Sequence, residues 1–220
     1  MKRIDLHMHT LMSDGALLPI ELARRCASMD FEAIAFTDHA SLSNVDRIVP
    51  ECARDAELAR EWGLDVIVGV EITHVPVSRF DEVVAKAKRA GADLVVVHGE
   101  TISEPVEKGT NRAAVNNPDV DILAHPGFIT LEDAQAAADN GVVLEITSRP
   151  SHGMTNGHVY RMASQVDAKM VVNTDTHSPG DIITTEKAYA IAMGAGMSRV
   201  EAEMCVDRMP REIVRRIRGR

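Results

Sequence analysis

The sequence predicts an α/β fold in which helices surround a parallel sheet of seven strands. Short runs of β-branched residues alternate with longer amphipathic segments, the pattern of repeated βα units. The turn-forming stretches Pro126-Gly127 and Ser178-Pro179-Gly180 lie between such segments. A length of 220 residues with 45% apolar content also suits one α/β barrel of about 200–250 residues. We therefore expect residues 1–220 to form a single domain.

Seven apolar runs have the length and composition of buried parallel strands. Because parallel strands are covered by helices on their outer face, each run is expected to be followed by a helical segment. The predicted strands lie near residues 2–7, 32–38, 64–72, 93–98, 120–125, 142–147 and 169–175.

Helices are predicted from apolar spacing and from capping residues. Phe80, Val83, Val84 and Ala87 recur at i, i+3, i+4 and i+7, and Gly91 ends the pattern. Three further pairs have the spacing of capping boxes, in which a hydroxyl residue precedes an acidic residue by three positions. These pairs are Ser43 with Asp46, Thr130 with Asp133, and Ser198 with Glu201.

The composition excludes several classes of protein. A formal net charge of −9 argues against broad, non-specific binding of polyanions, and 3% aromatic content leaves no stacking platform for single-stranded nucleic acid. No apolar stretch reaches the roughly 20 residues of a membrane span, and the N-terminus shows no signal-peptide pattern. Cys26, Cys52 and Cys205 are odd in number and dispersed, which predicts free thiols in a reducing compartment. We expect a cytoplasmic protein with no membrane contact.

The C-terminus is basic. Two interpretations are open for this segment: a contact with nucleic acid or a partner, or the cationic end of a helix. The residues concerned are Arg211, Arg215, Arg216, Arg218 and Arg220.

Histidine and carboxylate residues follow almost every predicted strand. His7 and His9 are two positions apart on the first strand, so both imidazoles lie on one face. In parallel α/β barrels, the loops at the carboxyl ends of the strands form the active site, so these residues are expected to converge. The others are Asp14, His39, Glu71, His98, His125, Glu145, Asp175 and His177.

Such a set predicts bound metal ions. Buried imidazoles and carboxylates without partners are costly, and neighbouring carboxylates repel each other unless cations lie between them. Ligands of the imidazole and carboxylate type without thiolates suit zinc, manganese or iron. About nine ligands exceed what one ion needs, so two or three divalent ions are expected. Neighbouring metals can bind an oxyanion and activate water, which is the chemistry of phosphoester hydrolysis.

Four motifs in order resemble those of the PHP (polymerase and histidinol phosphatase) family. They span almost the whole chain: His7-Met8-His9 with Asp14-Gly15, Thr37-Asp38-His39, His125-Pro126 and Asp175-Thr176-His177. The segments Val97–Glu100, Leu123–Gly127 and Leu144–Ile146 also resemble the branch related to the ribonuclease P protein subunit. That branch has often lost metal ligands, whereas this chain keeps the full set.

The resemblance implies a distorted (β/α)7 TIM-like barrel with a trinuclear metal centre. It implies a first metal on His7, His9, Glu71 and Asp175, and a second metal bridged by Glu71 and completed by His98 and His125. A third metal would take Asp14, His39 and His177. In some family members histidine stands where this chain has Asp14.

Other polar residues are candidates for binding or positioning. Arg149 and His152 follow the sixth predicted strand, where a guanidinium suits phosphate binding and an imidazole suits a general acid. Arg112 and His158 are weaker candidates, and His74 is expected in a loop. Asp5 either orients a ligand imidazole or closes the barrel bottom, and Asp38 is expected to make structural bonds. Glu145 either binds substrate or supports a ligand histidine.

We therefore expect a metal-dependent phosphatase in which a metal-bridged hydroxide hydrolyses a small phosphate monoester, such as histidinol phosphate or a nucleotide. Glu71, Asp175, Arg149 and His152 are the expected catalytic residues. The alternatives are a 5′-to-3′ exonuclease-like phosphodiesterase on short nucleic acid, or a binding subunit that retains metal without catalysis. Amide hydrolysis is disfavoured because Lys86 and Lys88 lie in a predicted helix and not at a strand end.

Overall fold

Eight parallel strands wind into a nearly closed barrel in the computed structural model, which describes residues 2–219. The order across the sheet is β1-β2-β4-β5-β6-β7-β8, and β3 pairs with β4. The predicted α/β barrel of parallel strands is confirmed. The strands are β1 Ile4–Met8, β2 Ala33–Phe36, β3 His39–Ala40, β4 Asp65–Ile72, β5 Leu94–His98, β6 Ile122–Ala124, β7 Val143–Thr147 and β8 Met170–Asn173.

The predicted strand at 32–38 is interrupted, which is why eight strands replace seven. β2 ends at Phe36, and the Thr37 hydroxyl then accepts the Met8 N–H at 3.0 Å. The chain resumes pairing in β3, where His39 lies opposite Glu71 of β4. Backbone bonds from the Thr37 N–H to the Met8 carbonyl and from the Glu71 N–H to the Asp38 carbonyl continue the pairing on either side, and the interruption sets His39 beside Glu71.

The seam between β1 and β8 is closed mainly by single contacts. At the carboxyl end, the His9 N–H donates to the Thr176 carbonyl at 2.8 Å. Further down, the Leu6 N–H donates to the side-chain oxygen of Asn173 at 3.0 Å. A side chain thus takes the place of a backbone acceptor at this seam.

Helices cover the outside of the barrel, as the alternating pattern predicts. Phe80, Val83, Val84 and Ala87 form the buried face of α3. Among residues 2–219 the helices are α1 Pro19–Ser28, α2 Val45–Ala59, α3 Phe80–Arg89, α4 Thr110–Asn116, α5 Leu131–Asn140, α6 Asn156–Gln165, α7 Thr185–Gly194, α8 Arg199–Glu203 and α9 Met209–Arg218.

Two of the three predicted helix caps are present. The Thr130 hydroxyl accepts the Asp133 N–H at 3.1 Å before α5, and Ser198 forms a reciprocal capping box with Glu201 before α8. The prediction for Ser43 was wrong. Helix α2 begins after Asn44, and the Ser43 hydroxyl lies 3.0 Å from that of Ser41.

Helix α9 crosses the amino ends of the strands and closes the bottom of the barrel. Its buried residues Met209, Ile213 and Ile217 pack in one cluster with strand residues. Three of its arginines pair with acids at strand starts, Arg211 with Glu32 at 2.8 Å, Arg216 with Asp121 at 3.1 Å and Arg218 with Asp65. These C-terminal cations therefore hold the helix to the barrel, while Arg220 lies outside the described residues.

Cys26, Cys52 and Cys205 are free and buried, as expected. No helix within residues 2–219 is both long and apolar enough to cross a membrane.

Candidate metal centre

The nine residues predicted as metal ligands all lie at the carboxyl ends of the strands. They come from distant parts of the chain and meet through contacts of their ring nitrogens and carboxylate oxygens. The set is His7, His9, Asp14, His39, Glu71, His98, His125, Asp175 and His177.

Glu71, which is fully buried on β4, lies at the middle of this set. Its Oε1 is 3.3 Å from His7 Nε2 and 3.5 Å from His125 Nε2, and its Oε2 is 2.7 Å from His39 Nδ1. Burial raises the pKa of Glu71, but the surrounding imidazoles, His7 foremost, outweigh it and hold the pKa well below its usual range. An ionised carboxylate with imidazoles on both oxygens would suit two neighbouring cations, one on each oxygen.

Asp175 joins the two histidines of the first strand. Its Oδ1 lies 3.1 Å from His9 Nε2 and 3.6 Å from His7 Nε2, and these two nitrogens are 3.1 Å apart. Burial lowers the pKa of His9 to about 4, so this imidazole is neutral at pH 7 and can offer a lone pair. Three ligand atoms therefore meet at the position implied for the first metal.

Asp14 contacts a second group of histidines at the rim of the barrel. Its Oδ1 is 3.2 Å from His177 Nε2, 3.5 Å from His39 Nε2 and 3.9 Å from His9 Nδ1. Burial lowers the pKa of His39, but Glu71 and Asp14 overcome this and raise it to about 10. Asp14 is half exposed, whereas His9 is buried, so this is the most open of the implied metal positions.

A third group contains a residue that was predicted for a different role. One ring nitrogen each of His98, His125 and His152 lies within 4.8 Å of the others, and all three side chains are buried. The His152 ring stacks on His125 with centroids 4.3 Å apart. Its Nδ1 lies 2.7 Å from the Thr101 hydroxyl. His152, predicted as a general acid, is therefore also placed as a potential ligand beside the two histidines implied for the second metal.

The donor set fits metal ions on two counts. Two ligands about 2.1 Å from one tetrahedral ion are about 3.4 Å apart, and the separations around Glu71, Asp175 and Asp14 cluster near that value. Buried polar atoms without hydrogen-bond partners are expensive. Several occur here among the described residues: His9 Nδ1, Glu71 Oε1, His125 Nδ1 and Glu145 Oε1.

Glu145 supports one of the predicted ligands. The Glu145 carboxylate lies 2.8 Å from His7 Nδ1, which leaves His7 Nε2 facing Glu71 and Asp175. Glu145 is thus placed to orient a histidine.

Asp38 accepts hydrogen bonds from the Thr10 N–H and hydroxyl, both at 2.8 Å, as its structural assignment predicts. Asp5 pairs with Arg3 at 3.0 Å and does not contact an imidazole through any described hydrogen bond.

The ligand set opens into a pocket of about 370 Å³. Arg149 lines it, with Nη1 2.9 Å from His177 Nδ1 and Nε 3.4 Å from Asp175 Oδ2.

The weaker candidates lie outside this pocket, since Arg112 pairs with Asp133 and His158 lies 2.8 Å from the Ile129 carbonyl. Lys86 and Lys88 bond to the backbone carbonyls of Leu42 and Ala92.

Sequence reasoning missed Glu104, which also lines the pocket. Its carboxylate lies 3.1 Å from His74 Nε2 and 3.2 Å from His98 Nε2. Glu104 follows β5 by six residues in an irregular loop, so no strand-end spacing pointed to it. His74, predicted as a loop residue, is in a loop but reaches the same carboxylate.

Comparison with known proteins identifies the family of this chain. A family model described as PHP domain matches residues 5–97. An uncharacterized protein of Methanocaldococcus jannaschii is 46% identical over 217 residues, covering 98% of this chain and 100% of that protein. Ribonuclease P protein component 3 of Methanosarcina mazei is 28% identical and covers 97% of this chain and 89% of its own.

A solved structure has the same fold. A chain of the cryo-EM structure of archaeal ribonuclease P with mature tRNA superposes with a TM-score of 0.66, at 19% identity, over 96% of this chain and 89% of that chain. The matched family model includes His7, His9, Asp14, His39 and Glu71 of the candidate centre. The chain belongs to the PHP domain family.

Proposed function

We propose that this chain is a metal-dependent phosphoesterase that hydrolyses a small phosphate monoester, such as histidinol phosphate or a nucleotide, and that residues 1–220 form one PHP-type domain. The observation that carries the proposal is the complete donor set. Every ligand that the family resemblance implies is present, and their side chains meet around Glu71 at the base of an open pocket. A chain that only binds a partner has no need of such a set.

The proposed cofactors are two or three divalent ions, zinc, manganese or iron, held by the nine residues of the candidate centre. Such ions neutralise charge on a phosphoryl group and lower the pKa of a coordinated water. Glu71 and Asp175 would hold the ions close together, and Arg149 would bind a phosphate oxygen from the pocket wall.

The pocket and the charge of the chain favour a small substrate. A volume of about 370 Å³ lies near the lower end of the 300–1,000 Å³ range of small-molecule sites. Asp14, Glu104 and Asp175 line the pocket beside Arg149 and His39, so the acids offset the positive charge that the wall offers a polyanion.

A second candidate is supported by the relatives. Ribonuclease P protein component 3 matches nearly the full chain, so this protein can instead be a subunit of an RNA-processing assembly that retains metal without catalysis. A 5′-to-3′ nuclease-like phosphodiesterase on short RNA is the corresponding enzymatic alternative. The two differ in whether any phosphodiester is cleaved.

An assay with three substrates separates these functions. We expect the manganese-loaded chain to hydrolyse p-nitrophenyl phosphate, to lose that activity on chelation and to recover it when manganese returns. Short RNA and a nucleoside bisphosphate are assayed in parallel. Cleavage of RNA alone would favour the nuclease, and a fully loaded chain that turns over none of the three would favour the binding subunit.

His152 gives a test of proton transfer within this function. The proposed general acid protonates the leaving oxygen, so its loss matters most for a poor leaving group. We expect His152→Ala to lower kcat about 10²-fold on an alkyl phosphate and far less on p-nitrophenyl phosphate. His158→Ala is the matched control because His158 bonds to a carbonyl outside the pocket. Equal losses on both substrates together with reduced metal content would assign His152 to metal binding instead.

A further inference from the structure

Glu104 is a carboxylate that three imidazoles share, one from the end of β5 and two from loops. Its Oε2 lies 3.1 Å from His74 Nε2 and 3.2 Å from His98 Nε2, and its Oε1 lies 3.5 Å from His152 Nε2. His98 and His152 are buried, whereas Glu104 is 40% exposed. A half-exposed acid therefore covers the outer side of the buried histidines.

The loop that carries Glu104 is held at several points. Glu100 Oε1 accepts the Gly109 N–H at 2.9 Å, which joins the two ends of the loop. The Ser103 hydroxyl donates to the Ser151 carbonyl at 2.5 Å, and Glu107 Oε2 accepts the Val77 N–H at 3.1 Å. These bonds connect the loop to its neighbours on both sides, so the position of Glu104 over the pocket is built into the fold.

His98 presents its Nε2 to the pocket beside Glu104. His98 Nδ1 lies 3.2 Å from the Gly99 carbonyl, so Nε2 is the nitrogen that faces the pocket. That nitrogen is 3.2 Å from Glu104 Oε2, close to the separation of about 3.4 Å expected for two ligands of one tetrahedral ion. An ion held by His98 therefore lies within reach of the Glu104 carboxylate.

We propose that Glu104 is an additional, displaceable ligand of the metal ion held by His98 and His125, and that the phosphoryl group of the substrate replaces it. The inference rests on the proposed function. Glu104 and His74 are the exposed members of the group, whereas His98 and His152 are buried, so the Glu104 carboxylate can leave without opening the core. A carboxylate and a phosphate oxygen are both anionic oxygen ligands and compete for one coordination position.

Glu104→Gln tests this role, with Glu107→Gln as the matched control on the same loop. A glutamine at 107 still accepts the Val77 N–H, whereas a glutamine at 104 loses the anionic ligand. Manganese affinity is measured by competition with a coloured chelator, and inorganic phosphate binding to the loaded protein is measured by calorimetry. We expect Glu104→Gln to weaken binding of one manganese equivalent about tenfold or more and to tighten phosphate binding several-fold.

The opposite directions of these two effects distinguish ligand exchange from general damage to the site. Unchanged manganese and phosphate affinities in Glu104→Gln would overturn the inference and leave the proposed function intact. Weaker binding of both probes would also overturn it, because a displaced competitor cannot produce that result. A wild-type chain that takes up no manganese would overturn the proposed function and this inference together.

Discussion

Replacing His9 or Asp175 with alanine is expected to abolish phosphoester hydrolysis and to reduce metal content while leaving the barrel folded. His9 Nε2 and Asp175 Oδ1 are 3.1 Å apart, and each also lies within 3.6 Å of a second predicted ligand. Removing either leaves a metal position with too few donors, and the lost charge stabilisation corresponds to a rate decrease of roughly 10³-fold or more. Initial rates with p-nitrophenyl phosphate and metal analysis by mass spectrometry measure the two effects.

Two controls separate this result from misfolding. His158→Ala and Asp119→Ala remove the same side-chain types outside the pocket lining, and both should keep full metal content. Circular dichroism of all four variants should match the wild type. Unchanged turnover in His9→Ala or in Asp175→Ala would contradict the proposed metal centre.

The convergence of the ligands could be predicted because it depends on strand periodicity. Side chains two apart on a strand share a face, and the carboxyl ends of parallel strands meet at one end of a barrel. His7 with His9, Glu71 on β4 and His98 on β5 follow from these two rules alone. The contacts of these residues with particular neighbours do not follow from the two rules, because those contacts depend on the register between strands.

The local backbone at the site could not be predicted. His125 and Asp175 have φ angles of 27° and 53°, in a region that costs most residues of order 1 kcal/mol or more and is common at functional sites. Both residues are the last positions of predicted strands, so extended geometry was the natural expectation. Non-local backbone hydrogen bonds lie beside both turns, from the Gly99 N–H to the Ala124 carbonyl and from the His9 N–H to the Thr176 carbonyl, and such contacts cannot be read from the local sequence.

The role of Glu145 was open in the sequence for a related reason. Its position near the carboxyl end of β7 suited either substrate binding or support of a metal-ligand histidine. Only the barrel seam brings it within 2.8 Å of His7 Nδ1 and 3.0 Å of the Asn173 amide. Contacts across 138 residues of sequence leave no local signal in the chain. The same holds for Glu104, whose loop conformation decides its contacts.

Asp5→Ala is expected to cause a large loss of folding stability. The Asp5 carboxylate is fully buried at the seam between β1 and β8, where it pairs with Arg3 at 3.0 Å and accepts the N–H groups of His7 at 3.3 Å and Thr174 at 3.2 Å. Burial raises the pKa of Asp5, and Arg3 opposes that effect. Removing the carboxylate leaves a buried guanidinium without its counter-ion, a defect that costs about 3–5 kcal/mol. Urea unfolding in the presence of a chelator measures the free energy without a metal contribution.

A graded series identifies which interaction is lost. Asp5→Asn keeps an oxygen for the two N–H groups but loses the charge, so its cost should fall between those of Asp5→Ala and the exposed control Asp119→Ala, which should stay within about 0.5 kcal/mol. If the asparagine variant is as unstable as the alanine variant, the ion pair with Arg3 dominates. If it is nearly as stable as the wild type, the backbone hydrogen bonds dominate. A cost below about 1 kcal/mol for Asp5→Ala would show that the seam does not depend on this carboxylate, since an unpaired buried charge cannot be that inexpensive.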